Sequence, residues 1–270
     1  MIKNFRSYDL FGNIALVKFP RGTKISDKKK FSKKIMDANK SIKTVLEKSG
    51  KFKGRLRKMQ TKFIAGEKTK EALYKENDCV FRFNVDKTYF SSRLSNERKE
   101  IAGLIKKNDK VLVMFAGVAP YSIILARKSG AEVYSNELNR EANKYGRLNA
   151  QLNKVKDKIV FLDGDIKKIV KKCQEGRLSE GNRRCPRFDV IVMPRPRLKD
   201  SFLKEAFALS KKGTRIFYYD FCEISKTNSI TEKIKSEAAK SRKKIKILKV
   251  KNAGEIAPYK VRVRVDFKLV

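Results

Sequence analysis

Lys110-Val-Leu-Val-Met-Phe-Ala-Gly-Val-Ala-Pro-Tyr121 reads as a buried strand that runs into a glycine-bearing turn and then a helix. In α/β sheets that junction cradles a nucleotide-like cofactor, because Gly117 lets the backbone approach a ligand and the helix start offers unpaired N–H groups. Just upstream lies Phe81-Arg-Phe-Asn-Val-Asp-Lys-Thr-Tyr-Phe-Ser-Ser-Arg-Leu-Ser-Asn-Glu-Arg98, rich in aromatics, arginines and carboxylates that a plain cofactor fold does not need. A cofactor turn with such a segment attached predicts a group-transfer enzyme acting on a planar, charged substrate.

Downstream of Glu97 the pattern alternates between strand and helix. Helices are expected at about 96–106, 120–129, 139–152, 165–174 and 199–210, and strands at 110–115, 132–136, 158–162, 188–193 and 214–219. A polar loop spans 176–186. A strand near 244–250 and the strictly alternating Val261-Arg-Val-Arg-Val-Asp-Phe-Lys-Leu269 close the chain as an antiparallel edge. A doubly wound sheet ended by an antiparallel hairpin is the outline of the class I S-adenosylmethionine-dependent methyltransferases, with a seven-stranded Rossmann-like sheet. Upstream, residues 13–19 read as a strand ended by Pro20. Asp27 is placed to cap a helix running from about Lys28 to Lys48, on the spacing of Phe31, Ile35, Ala38, Ile42 and Val45. Its lysine run, 28–34, reads as a solvated face. Two or three short strands follow in 51–85. The expected division is an α+β domain over 1–95, on the substrate side, and a methyltransferase domain over 96–270.

The chain has 270 residues, of which 41% are apolar, enough to fill a core. Its 67 Lys and Arg against 29 Asp and Glu give a net charge of +38. A surface this basic predicts a polyanionic partner, nucleic acid, bound by phosphate neutralisation. No run of about 18 apolar residues predicts a membrane span, and the N-terminus lacks an apolar signal core, so a cytoplasmic protein is expected; its oligomeric state is open, with a monomer favoured. The four cysteines have no CxxC spacing and histidine is absent, so no zinc site is expected and acid–base work falls to carboxylates, Tyr, Lys or Cys.

Glu137 ends the strand after Gly117, about twenty residues on, where a carboxylate can accept both ribose hydroxyls. Asp165 ends the next strand and is placed to meet an adenine amino group. Each also fits a helix cap, for the helices starting near Asn139 and after Asp165. The fourth strand ends in Met193-Pro-Arg-Pro-Arg197, where Arg195 and Arg197 fit either an anion clamp or a rigid turn with solvated arginines.

Across these segments the chain resembles the tRNA (guanine-37 N1)-methyltransferases of the archaeal and eukaryotic type, relatives of the wybutosine-pathway transferases. The resemblance rests on Tyr8-Asp-Leu-Phe-Gly-Asn-Ile-Ala15, Gly54-Arg-Leu-Arg57, Ala65-Gly-Glu67, Tyr74-Lys-Glu76, Asp86 to Arg98, Phe115-Ala-Gly-Val118 and Glu137-Leu-Asn139. It implies S-adenosylmethionine as methyl donor, held by Phe115, Gly117, Val118, Glu137, Asp165 and Pro194. It implies Glu97 as the base that removes the guanine N1 proton, Arg57 as the cation at the base oxygen and Tyr89 as an aromatic beside base or cofactor. Arg93, Arg195, Pro196 and Arg197 are expected on the tRNA side. The pattern departs from the family at Val113, where an acid is usual, at Ala119 for glycine, and at Pro194-Arg-Pro196 for Asn-x-Pro. Family members usually carry a further N-terminal domain, and the match begins at about their second one. The rival readings are transfer of methyl or aminocarboxypropyl to a tricyclic guanosine at the same position, and a catalytically silent RNA-binding homologue.

Overall fold

The computed structural model describes residues 8–50, 54–176 and 185–270. Strands β1 (Tyr8–Phe11), β2 (Ile14–Val17), β3 (Thr44–Lys48) and β4 (Thr61–Gly66) form one sheet in that order, with helix α1 (Ile25–Ala38) between β2 and β3. β2 and β3 are parallel, so the chain has to cross over between them, and α1 is that crossover. The helix expected to reach Lys48 therefore ends ten residues early. The Asn39 Oδ1 accepts the Ser41 N–H at 3.0 Å, a side-chain turn that stops it, and the β-branched Thr44 and Val45 enter the sheet. It also begins earlier, at Ile25, with Asp27 in its first turn and no side-chain cap. Val17, Phe19, Ile35, Ile42, Val45 and Ile64 fill the space between sheet and helix.

The remainder runs β5 (Glu71–Glu76), β6 (Cys79–Asn84), α2 (Ser95–Leu104), β7 (Lys110–Met114), α3 (Pro120–Ser129), β8 (Glu132–Glu137), α4 (Arg140–Leu152), β9 (Ile159–Asp163), α5 (Ile166–Gln174), β10 (Phe188–Met193), α6 (Leu203–Ala208), β11 (Ser210–Glu223), α7 (Asn228–Lys240), β12 (Ile245–Ala257) and β13 (Lys260–Leu269). Seven strands make one sheet in the order β12-β13-β11-β10-β7-β8-β9. β7 to β11 run parallel and β13 and β12 antiparallel, as the closing alternation predicts. The parity of β7 shows how the sheet is covered. Val111 and Val113 join the core under α2, α3 and α4, while Leu112 and Met114 join the one under α5, α6 and α7. Val113, where the family has an acid, is fully buried in the first of these cores.

Helix α6 is shorter than expected because Phe202 has a left-handed backbone (φ 57°) and β11 already starts at Ser210. Helix α7 was not expected at all. Its buried stripe is only Ile230, Ile234 and Ala238 among polar residues. Cys173, at the end of α5, is disulfide-bonded to Cys185, just before β10. Most of the expected polar loop, 177–184, lies outside the described residues.

The β5–β6 hairpin is docked from both sides. Asn149 of α4 and Asn153, the residue that caps its end, act as a substitute strand: their amide oxygens accept the N–H of Arg82 (2.7 Å) and Val80 (2.8 Å), and their amide nitrogens donate to the carbonyls of the same two residues. The match is geometric. Positions i and i+4 of a helix lie about 6 Å apart, close to the spacing of i and i+2 in a strand. On the other side, Asn13 bonds the Leu73 N–H and the Glu71 carbonyl, and Gly12 bridges to Leu73.

Candidate active site

The chain passes from β7 outward to β9, then returns to β10 on the other side of β7. The switch point between β7 and β10 opens a crevice at the carboxyl ends of the strands, where such sheets bind ligands. A cleft of about 580 Å³ occupies it. One wall is the turn after β7 with the ends of β8, β9 and β10. The other is the segment 55–57, the segment 89–94 and residues 253–256 of the terminal hairpin.

Gly117 has φ +59°, and a Cβ there would stand 3.2 Å from the Tyr89 carbonyl oxygen, so a side chain would be strained by the left-handed backbone and would crowd the opposite wall. Glu137 lines the cleft. Its Oε2 accepts the Gly117 N–H at 2.8 Å and its Oε1 the Asn139 N–H at 2.7 Å. Burial pushes this carboxyl above its ordinary range, and the backbone donors Asn139, Gly117 and Leu138 partly offset that. The cap of α4 is Asn139, not Glu137: its Oδ1 accepts the Glu141 N–H, while its Nδ2 donates to the Lys87 carbonyl at 2.8 Å and ties the two walls together. Asp165 does cap α5 through the Lys167 N–H, and its second oxygen bonds Arg55 across the cleft at 2.8 Å. Burial raises the Asp165 carboxyl, but Arg55 and the cap hydrogen bond outweigh it and hold the group below its usual range. Phe115 packs edge-on against Phe202, with ring centroids 5.0 Å apart.

On the facing wall the Arg57 guanidinium stacks over the Tyr89 ring, 4.3 Å from its centroid. Arg93 reaches Asp9 at 3.2 Å. Pro194, Pro196 and Arg197 line the cleft. Arg195 also lines it but is 3% exposed and turned into the protein, paired with Asp220 and bonded to the Leu198 and Asp200 carbonyls at 2.6 and 2.7 Å. It braces the loop that carries both prolines. Val118 is fully buried away from the cleft, its carbonyl accepting from Asn149.

Glu97 does not line the cleft. Its Oε1 pairs with Lys251 at 2.8 Å, and its Oε2 accepts from Arg264 at 2.7 Å and from the Tyr219 hydroxyl at 2.8 Å. Burial raises its carboxyl, yet the bonds from Lys251 and Tyr219 and the Arg264 charge prevail and keep it ionised. Tyr219 does line the cleft, and its hydroxyl also receives that of Tyr121 at 3.0 Å. The neighbouring Arg98 forms a buried fork with Glu76 (2.5 and 2.7 Å) and donates to the Ser91 carbonyl at 2.9 Å, which fixes the segment bearing Tyr89. Nothing in the sequence alone marks Tyr219 or Arg98 for a role. The Glu97-Arg98 pair was visible there, but the partners of both lie far away along the chain.

Residues 72–248 match the TRM5/TYW2 methyltransferase domain and residues 1–69 the TYW2 N-terminal domain. The chain belongs to the TRM5/TYW2 methyltransferase family. A protein of Nanoarchaeum equitans named tRNA (guanine(37)-N(1))/4-demethylwyosine(37)-methyltransferase Taw22 is 32% identical, over 98% of this chain and 100% of that protein. The crystal structure of Trm5b from Pyrococcus abyssi superposes with a TM-score of 0.83 at 30% identity, covering 98% of this chain and 75% of that one. TYW2 of Methanocaldococcus jannaschii in complex with AdoMet shares the fold, with a TM-score of 0.69 at 21% identity, covering 98% of this chain and 100% of that one.

The cofactor of a TRM5/TYW2 domain is S-adenosylmethionine, and the crevice fits it. The Glu137 carboxylate spends one acceptor site per oxygen on the turn, and a carboxylate offers about four in all. The glycine turn admits close approach, and the Phe115–Phe202 pair supplies an apolar flank. Among the described residues no group of three or more Cys, Asp or Glu is arranged to hold a metal, and no helix is long and apolar enough to cross a membrane.

Proposed function

We propose that the chain methylates N1 of guanine at position 37 of tRNA. The observation that carries this reading is that the Glu137–Gly117 crevice and the stacked Arg57–Tyr89 pair line one and the same cleft. Residues up to 95 serve the tRNA side and residues from 96 onward the cofactor side. The bound sulfonium supplies an electrophilic methyl group that needs positioning more than activation. The protein must supply removal of the N1 proton and stabilisation of the charge that spreads to O6. Arg57 serves O6, while Tyr89 gives its guanidinium and the base a flat flank. Phe115, Gly117, Glu137, Asp165 and Pro194 hold the cofactor, and Arg93 and Arg197 hold the RNA.

Glu97 acts as the base through Tyr219. As the proton leaves N1 for the Tyr219 oxygen, the Tyr219 proton passes along its 2.8 Å bond to Glu97 Oε2. Burial keeps the Tyr219 hydroxyl protonated, its loss of a proton pushed well above the ordinary tyrosine range, so it relays rather than stores charge. Glu97→Gln and Tyr219→Phe should each slow single-turnover methyl transfer, Glu97→Gln by about 10²–10⁴-fold, with cofactor affinity retained. Wild-type rates in both variants would place the base elsewhere. A second reading, a tricyclic guanosine at the same position, is favoured by the full-length match to a relative named for both substrates. Nucleoside mass spectrometry of tRNAs carrying either base separates the two.

A further inference from the structure

A second groove, of about 720 Å³, lies on the N-terminal unit between the β2–α1 connection, the end of β3 and the start of β4. Among the described residues its basic side chains are Lys18, Arg21, Lys28, Lys48 and Lys62, against one carboxylate, Glu47. That carboxylate is consumed, since both its oxygens bond Lys28, at 2.7 and 2.8 Å. Lys48 pairs with Asp9 at 2.7 Å. Lys18, Arg21 and Lys62 are exposed, and among the described residues no carboxylate lies within salt-bridge reach of them. Lys48 lines this groove and the cleft alike, and Asp9, its partner, lines the cleft too, so the two cavities share a wall.

We infer that this groove is a track for the tRNA sugar–phosphate backbone leading away from the nucleotide held in the cleft. The inference rests on the proposed tRNA reading and extends it to a surface outside the catalytic cleft. Three unpaired cations in a concave site recruit an anion chain, and release of its counterions supplies the affinity. Among the described residues its one aromatic, Phe19, is 7% exposed and sits edge-on to Phe31 beneath Lys28, so that ring offers no face for stacking a base. Backbone recognition without base recognition suits the flank of a nucleotide whose identity is tested elsewhere. An acidic protein segment would also answer to the charge, but it would have no reason to continue into the cleft.

The test is a triple variant, Lys18→Gln/Arg21→Gln/Lys62→Gln, against a control, Lys243→Gln/Lys244→Gln/Lys246→Gln, whose exposed lysines sit at and just before edge strand β12 of the large sheet and line neither cavity. All six side chains are exposed, so both proteins should fold, with melting as the check. In tRNA binding followed across salt, the groove variant should lose about two to three from the log–log slope, roughly 0.9 per contact, and the control should keep the wild-type slope. The groove variant should retain the wild-type single-turnover rate at saturating tRNA and the wild-type cofactor affinity. A wild-type slope in the groove variant, or an equal loss in the control, overturns the track while the methyltransferase reading stands. Wild-type protein that neither binds nor methylates tRNA overturns both.

Discussion

Glu137 bonds the turn through both carboxylate oxygens, and in the proposed site the same carboxylate also holds the cofactor, so its removal has two separable effects. Glu137→Ala should weaken S-adenosylmethionine binding by about 1.5–3 kcal/mol, the value of charge-assisted hydrogen bonds to two hydroxyls. Glu137→Gln, which still accepts one backbone N–H, should lose less. Calorimetric titration checks this, and unchanged affinity in Glu137→Ala removes the residue from the site. Gly117, Glu137 and Asp165 were legible because each stands at a strand end whose position hydrophobic pattern alone gives. The surroundings of Glu97 and Arg195 were not. Glu97 meets Arg264 from 167 residues away and Arg195 meets Asp220 from 25 residues away. Local spacing carries no record of such partners, so a carboxylate read as a free base is found in a network, and an arginine read as an anion clamp is found as a brace.

Among the elements, the β5–β6 hairpin has the least support of its own, a two-stranded ribbon held by what touches it. At Gly12 a Cβ would lie 1.8 Å from the Leu73 carbonyl oxygen, and the backbone there has φ +61°. Gly12→Ala should therefore destabilise the protein by about 2–5 kcal/mol, from the left-handed backbone and the forced separation together. A shifted urea midpoint measures it, and an unchanged midpoint would mean the contact is not made in solution. This explains physically why the segment around Phe11-Gly-Asn13 is informative in the sequence. Strands β7 to β10 and β13 and helix α3 were legible because each buries a strong apolar pattern. Helix α1 was overextended because Ile42 and Val45 fall by accident on helical spacing while serving a turn and a strand. Helix α7 went unread because a stripe of Ile230, Ile234 and Ala238 is too narrow to stand out.

In the whole molecule, the terminal hairpin is fastened to the rest by buried charge. Arg264, 0% exposed on β13, bonds Glu97 and Glu100 of α2 as well as Asp266. Hydrogen bonds from Arg264 and Lys251 lower the Glu100 carboxyl from 4.5 to about 2, and Glu97 is lowered too. Groups depressed in the folded state bind fewer protons there than in the unfolded chain. Their stabilisation is therefore complete above the ordinary value and drains as the pH falls toward the folded one. Asp266, raised by burial, works in the opposite sense. The melting temperature should thus fall as the pH drops from about 4.5 toward about 2. Arg264→Met should melt lower at neutral pH, because it strands buried carboxylates, and should show a shallower acid dependence. A parallel acid profile in the variant would place the acid sensitivity outside this cluster.

The Asn149–Asn153 substitute strand also sets an order of events at the ribosome. The amides that satisfy β6 lie 67 and 73 residues downstream of it. At about 5–20 residues per second, the open edge of the hairpin emerges roughly 3–15 s before the helix that seals it. For that interval the nascent chain displays a bare strand, the usual template for association between neighbouring chains on one message. Two features oppose it: Arg82 on that strand, its side chain 54% exposed even after folding, and the net charge of +38, which sets growing copies to repel one another. A surface suited to gripping RNA thereby also keeps unfinished chains apart.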